Sequence, residues 1–262
     1  ERIAALRSEL GLDQPLLVQY AGYVGGALRG DFGRSIRNER PVLAMIAEAA
    51  PSTMQLALAA LLFAVVTGFG LGLAAAVRRG RWPDLLVMTV AVGGISIPSF
   101  WLGMLLILVF SVWLGWLPSV AAQGDWRGLI LPAITLGVAE AAVIARVVRS
   151  SVVEALDQEY MRTATAKGLP PLRRLLRHAL PNALIPVVTV VGLQAGFLLA
   201  GSVVVETVFA RPGLGRLAIS AVSNRDFPVV QGVVLVTAAA YVLINTFTDL
   251  LYAALDPRVR LD

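Results

Sequence analysis

Residues 52–77 read STMQLALAALLFAVVTGFGLGLAAAV, 26 positions without a charged side chain. At 1.5 Å per residue such a helix is about 39 Å long, enough to cross roughly 30 Å of hydrocarbon. Four more apolar runs follow at 85–115, 129–149, 183–205 and 227–248. Each is read as helix, because backbone in lipid has no water to satisfy its N–H and C=O groups. The run at 85–115 holds 31 uncharged residues, too many for one upright span. Gly93, Gly94 and Pro98 within it predict a kink or a start outside the membrane. Composition agrees: 57% of the 262 residues are hydrophobic, 15% are charged and mean hydropathy is +0.76. Soluble domains carry about a quarter charged residues, so disordered, collagen-like and disulfide-scaffold classes are excluded. There is no Cys, which removes thiolate metal sites. The expected fold is all-α and polytopic, with five transmembrane helices in this chain.

Five spans place the two ends on opposite sides. One side receives residues 78–84, 146–180 and 256–262, which carry 12 of the 22 basic residues. The loops 116–128 and 209–227 on the other side carry four, and residues 1–50 carry six. The connecting loops therefore put the first side in the cytoplasm. The net charge of +5 fits a cytoplasmic face meeting anionic headgroups.

Residues 1–50 are read as a separate, extracytoplasmic amphipathic segment, and 51–262 as the transmembrane domain. Ile3, Leu6 and Leu10 share a helical face that Gly11 ends. Gln14-Pro15 restarts a helix carrying Leu17, Tyr20, Val24 and Leu28, before a loop through Gly30-Asp31-Phe32-Gly33.

The loop at 154–181 is the most informative. Its first part runs Glu154-Ala-Leu-Asp-Gln-Glu-Tyr-Met-Arg-Thr-Ala-Thr-Ala-Lys-Gly168, with Leu156, Tyr160 and Ala164 at i, i+4, i+8. Asp157, Glu159, Arg162 and Lys167 occupy other faces, Gly168 is placed to cap, and Pro170-Pro171 forbid simple continuation. A second short helix carries Leu172, Leu175, Leu176 and Ala179, with Arg173, Arg174 and Arg177 beside them. Two readings fit these residues: an amphipathic pair resting on headgroups, or a helix docked into a groove of a cytoplasmic partner.

This spacing resembles the EAA loop of ABC-transporter permeases. That pattern is Glu-Ala-Ala, three residues, Gly, nine residues, Ile, one residue, Leu-Pro. Ala164, Gly168, Leu180 and Pro181 match it, whereas Arg162, Thr163 and His178 depart. Residues 160–168, Tyr-Met-Arg-Thr-Ala-Thr-Ala-Lys-Gly, are similar to the branch for peptide and nickel uptake. So are Glu9-Leu-Gly-Leu-Asp-Gln-Pro15, Gly30-Asp-Phe-Gly33, Pro98-Ser-Phe-Trp-Leu-Gly103, Gly201-Ser-Val-Val-Val-Glu-Thr-Val-Phe209, Pro212-Gly-Leu-Gly215 and Leu255-Asp-Pro-Arg258. These stretches resemble the B-type permease of dipeptide and oligopeptide systems, in family order.

The resemblance implies a type I ABC importer permease in the bacterial cytoplasmic (inner) membrane, with six helices in the intact fold and the first ahead of Glu1. It implies half of a translocation pathway for short peptides, completed by a second permease subunit. Two nucleotide-binding ATPase subunits and an extracytoplasmic solute-binding protein are the further partners. Asp157, Glu159, Tyr160, Arg162, Thr163, Ala164, Lys167 and Gly168 would form the coupling helix that docks on the ATPase. Tyr160 and Ala164 would fill its groove, and Arg162 and Lys167 would pair with its carboxylates. No enzyme activity is expected of the chain itself. A phosphate loop needs Gly-x4-Gly-Lys-[Ser/Thr], and the single lysine, Lys167, stands between Ala166 and Gly168. ATP and Mg2+ would therefore sit on the partner subunits, leaving this chain without cofactor or metal. A stand-alone secondary transporter or channel is the alternative, and it would need inverted repeats and an ion site.

Within the spans, Glu140 is an ionisable group in lipid, read either as facing the pathway or as pairing with a helix of the partner permease. Gly94, Ser96 and Pro98 offer free backbone carbonyls within the membrane and are further pathway candidates. Gly192, Gly196 and Ala200 recur every four residues, a pattern for close helix packing. His178, the single histidine, lies among arginines and is read as structural, and Asp249 and Asp256 as anchors for arginine neighbours.

Overall fold

A computed structural model describes residues 14–120 and 125–255. The expectations for Ile3, Leu6, Leu10, Gly11 and Asp256 fall outside these residues. Ten helices are described: α1 (Leu16–Leu28), α2 (Val42–Val77), α3 (Trp82–Ser96), α4 (Ser99–Leu106), α5 (Arg127–Asp157), α6 (Glu159–Ala166), α7 (Pro171–Arg174), α8 (Leu180–Val208), α9 (Leu214–Ser223) and α10 (Phe227–Leu255). Two π-helical stretches, Ile107–Trp113 and Leu175–Ala179, extend α4 and α7. No strand is formed among the described residues.

The centre is the pair α2 and α5. Leu56, Ala60, Ala64, Gly68, Gly72 and Ala76 recur every four residues on α2, and all are buried. A Cβ at Gly68 would lie 2.6 Å from the Ala141 carbonyl oxygen, and one at Gly72 would lie 2.5 Å from that of Ala145. In return, a Cβ at Gly137 of α5 would lie 2.7 Å from the Ala60 carbonyl oxygen. These pairings advance together along both chains, so the two helices run parallel, backbone against backbone, as small residues permit. Without lipid-driven burial between spans, such close contact is the main source of attraction.

The other spans pack around this pair. α8 runs antiparallel to α5, with Leu136 of α5 against Gly201 and Val148 and Val152 clustered with Ala179 and Ala183. α10 lies antiparallel to α8, where Gly192 receives Thr248 and Gly196 receives Tyr241 and Asn245. The third of that expected trio, Ala200, is exposed, so α10 covers only the first two. Outward faces are apolar: Met54, Leu58, Leu62 and Val66 of α2 are all exposed, as lipid contact requires.

The long run at 85–115 is a broken span. α3 ends at Ile97, whose extended ψ of 122° is what a following proline imposes. The chain then turns by 104° into α4 and its π extension. Gly93 and Gly94, expected to share in the kink, stay helical.

The boundary expected at 50/51 falls inside α2, which passes through Pro51 without interruption. Val42 and Ile46 in its first turns are buried in a cluster with Ala221 of α9 and Val229 and Val233 of α10. That packing keeps the turns before Pro51 helical despite one lost backbone hydrogen bond. The preceding turn is tied to the same place. Asp226, at the start of α10, accepts from the Ser35 hydroxyl at 2.5 Å and the Ile36 N–H at 3.1 Å.

Candidate functional site

α6 stands at the arginine-rich end of the bundle. The apolar run and polar tail of α5 form one helix as far as Asp157. Gln158 then leaves helical space with ψ of 153°, and α6 starts again in a new direction. This break shifts the register that the i, i+4, i+8 pattern assumed. Met161 and Ala164 turn inward, 4% and 7% exposed, and Met161 joins the cluster with Val152, Ala155, Ala179 and Ala183. Glu159, Tyr160, Arg162, Thr163 and Lys167 are exposed on the outer side. Ala164 therefore belongs to the seat of the helix and not to a surface that could fill a partner's groove. Leu156 remains on α5, partly buried against the same cluster.

The helix ends in a Schellman arrangement. The Gly168 N–H reaches the Thr165 carbonyl at 2.9 Å and the Leu169 N–H reaches that of Ala164 at 3.2 Å. Gly168 has φ of +75°, and a Cβ there would meet nothing within 4 Å. Glycine is required by backbone conformation, not by crowding within this chain. The following segment braces the helix. Arg174 donates to the Thr165 hydroxyl, and the Asn182 amide donates to the Tyr160 hydroxyl at 3.3 Å.

Two ion pairs fix the ground beneath α6. Asp84, 5% exposed at the start of α3, accepts two bonds from the Arg149 guanidinium at 2.7 and 2.8 Å and a third from the Gly80 N–H at 3.0 Å. A buried carboxylate held this way is expensive to strand, about 3–5 kcal/mol if its partner is removed. Arg79 meets Asp157 at 2.6 Å in the open, a pair worth at most about 1 kcal/mol. Together they join the α2–α3 turn to the end of α5. Asp157 is thus engaged within the chain, unlike the exposed charges of α6.

The mid-span candidates are divided. Glu140 of α5 accepts from the Gln194 amide of α8, so its polar group is met inside the chain. Gly94 packs on Val138, at 3.3 Å from a built Cβ. The Ser96 hydroxyl donates to the Val92 carbonyl at 3.0 Å, and Pro98 forms the bend of the broken span. Only Glu140 and Gln194 come together, and Gly94, Ser96 and Pro98 stay on the separate α3–α4 elbow. Asp249 is exposed and makes no ion pair among the described residues.

At the opposite end lies a cluster that the sequence reading did not single out. Glu206 is 0% exposed. Its carboxylate accepts from the Thr53 hydroxyl at 2.6 Å, the Gly215 N–H at 2.8 Å and the Arg216 N–H at 3.2 Å. Thr53 accepts in turn from the Leu214 N–H at 2.8 Å. Two α-helical termini meet here, since the first free N–H groups of α9 point at a carboxylate from the last turn of α8. A side chain at Gly213 would collide with the Glu206 carboxyl. The signal available in the sequence was a glutamate followed by Pro212-Gly-Leu-Gly215, a glycine pair that leaves backbone N–H groups open to an anion.

Residues 68–261 match the family model described as binding-protein-dependent transport system inner membrane component. The chain is 53% identical to the glutathione transport system permease protein GsiC of Salmonella typhimurium over 258 residues, covering 98% of this chain and 84% of the relative. The protein of the same name from Escherichia coli K12 is 52% identical over the same coverage. Among solved structures, inward-facing forms of the MetNI methionine ABC transporter superpose with a TM-score of 0.70 at 21% identity, covering 82% of this chain and 97% of that one. An amino acid ABC transporter gives a TM-score of 0.61 at 19% identity, with coverage of 82% and 94%.

Proposed function

The chain belongs to the family of binding-protein-dependent transport system inner membrane components, and from that premise we propose that it forms half of the translocation pathway for short peptides. It is a permease subunit of an ABC importer and a multi-pass protein of the inner membrane. The cargo reading is supported by relatives at 52–53% identity named for glutathione, a tripeptide. Residues 160–168 support it as well, through their similarity to the peptide and nickel branch.

The observation that carries the mechanism is α6, an eight-residue helix with a buried seat and an exposed charged face. In this reading the arginine-rich end is cytoplasmic, and Glu159, Tyr160, Arg162, Thr163, Lys167 and Gly168 meet an ATPase subunit. ATP and Mg2+ are held on the ATPase pair, and ATP binding draws that pair together. Met161, locked into the α5–α8 cluster, carries the displacement of α6 into the spans. The pathway then lies between this chain and a second permease, and a solute-binding protein delivers cargo from outside.

Reconstitution with the ATPase subunits, the second permease and the binding protein in proteoliposomes tests this. Accumulation of labelled glutathione or a short peptide is expected, strictly dependent on ATP inside the compartment that faces α6. Accumulation of neither, or uptake that proceeds without ATP, contradicts the proposal.

A further inference from the structure

At the end of the bundle opposite α6, a cavity of about 820 Å³ lies between the outer parts of α2, α5 and α9. Small-ligand sites typically span roughly 300–1,000 Å³. Arg211 lines it. The backbone there is fixed, because Ala210 takes φ of +51° and the Arg211 N–H reaches the Glu206 carbonyl at 2.8 Å. The guanidinium is poorly satisfied. Its terminal nitrogens reach the Gly128 carbonyl and the Ser52 hydroxyl only at 3.3 and 3.4 Å, and its buried Nε has no partner.

Its charge is met by the field of Glu206 but by no ion pair. The ion pairs among the described residues are Arg40–Glu48, Arg79–Asp157 and Arg149–Asp84, and Arg211 is in none of them. Glu206, whose field reaches Arg211, spends its oxygens on Thr53 and the start of α9. Of the acidic groups on the wall, Glu48 is taken by Arg40, and Asp125 accepts from the Arg127 N–H. Arg216 lines the same wall, with its guanidinium donating to the Ala210 carbonyl. A half-buried fork of donors with two long hydrogen bonds to neutral acceptors and an unmet Nε suits a carboxylate, which it can hold bidentately.

We propose that this cavity is an entry subsite on the permease for the free carboxylate of a peptide, with Arg211 as its anion-binding group. The inference rests on the peptide-cargo reading and on the α6 end being cytoplasmic. It gives the permease a selectivity of its own, beyond that of the binding protein.

The test uses the reconstituted complex, with the binding protein saturated by trialanine or triglycine, each as free acid and as C-terminal amide. Wild type should accumulate the acid faster than the amide. Arg211→Gln should lower that acid-to-amide ratio about tenfold, the worth of one charge-assisted hydrogen bond, and Arg211→Lys should restore part of it. Ser52→Asp, which places a carboxylate beside the guanidinium, should depress acid uptake in an assembled complex even if Arg211→Gln does not fold. An unchanged ratio in the assembled variants overturns the subsite. So does an equal loss for acid and amide, which would mean that Arg211 holds a carboxylate of the binding protein. Wild type that accumulates neither peptide in either form removes the cargo reading itself, a different failure.

Discussion

Glu206 and Asp84 make the same point at the two ends of the molecule: each is a buried carboxylate whose partners lie far away in sequence. Thr53 is 153 residues from Glu206, and Arg149 is 65 from Asp84. No local pattern could reveal such pairs, and both escaped the sequence reading. Glu206→Ala strands the Thr53 hydroxyl and two N–H groups of α9, and should cost about 2–4 kcal/mol, seen as a lower unfolding temperature in detergent. Arg149→Ala should destabilise more than the double change Arg149→Ala with Asp84→Asn, because the single change leaves an unpaired buried charge. Gly168 was legible, since a glycine followed by prolines marks a helix end wherever it occurs. Its φ of +75° with open space around it predicts an ordering of variants. Gly168→Asn, which tolerates left-handed backbone, should keep more ATP-driven uptake than Gly168→Val. Equal activity of the two would show that the Schellman turn is not what transport requires.

The helices themselves were largely legible, and their interruptions were not. Long apolar runs, one of them carrying Glu140, locate the five spans because lipid leaves backbone no alternative. Where each begins or breaks depends on packing. α2 starts ten residues before its apolar run, at Val42, because Val42 and Ile46 bury against α9 and α10. With the α5–α6 break at Gln158, Tyr160, which the continuous-helix pattern had put on the apolar face, is exposed, and Met161 is buried in its place. Small residues were the readable sign of close packing, yet the trio chosen in α8 is only partly used. The longer stripe from Ala60 to Ala76 holds the central pair. Gly68→Leu should therefore abolish recovery of folded protein by size exclusion, as its Cβ alone would sit 2.6 Å from the Ala141 oxygen. Gly70→Leu, two residues away and facing open space, should be recovered normally.

On the scale of the whole molecule, one end is built to be pushed and the other to be held. The end at α6 carries a helix locked by a buried apolar seat and braced by the Asp84–Arg149 pair. The far end ties α2, α8, α9 and α10 together through Glu206 and Asp226. Parallel α2 and α5 connect the two with few gaps, so a displacement of α6 has a stiff path into the spans. The coupling role requires that α6 touch the ATPase. The chain contains no cysteine, so single cysteines can be placed at will. Thr163→Cys and Arg162→Cys on the exposed face should each crosslink to the ATPase subunit in assembled complex, while Leu58→Cys on the apolar outer face of α2 should not. Absence of any ATPase adduct from both α6 positions, in complexes that still import peptide, would contradict the coupling role.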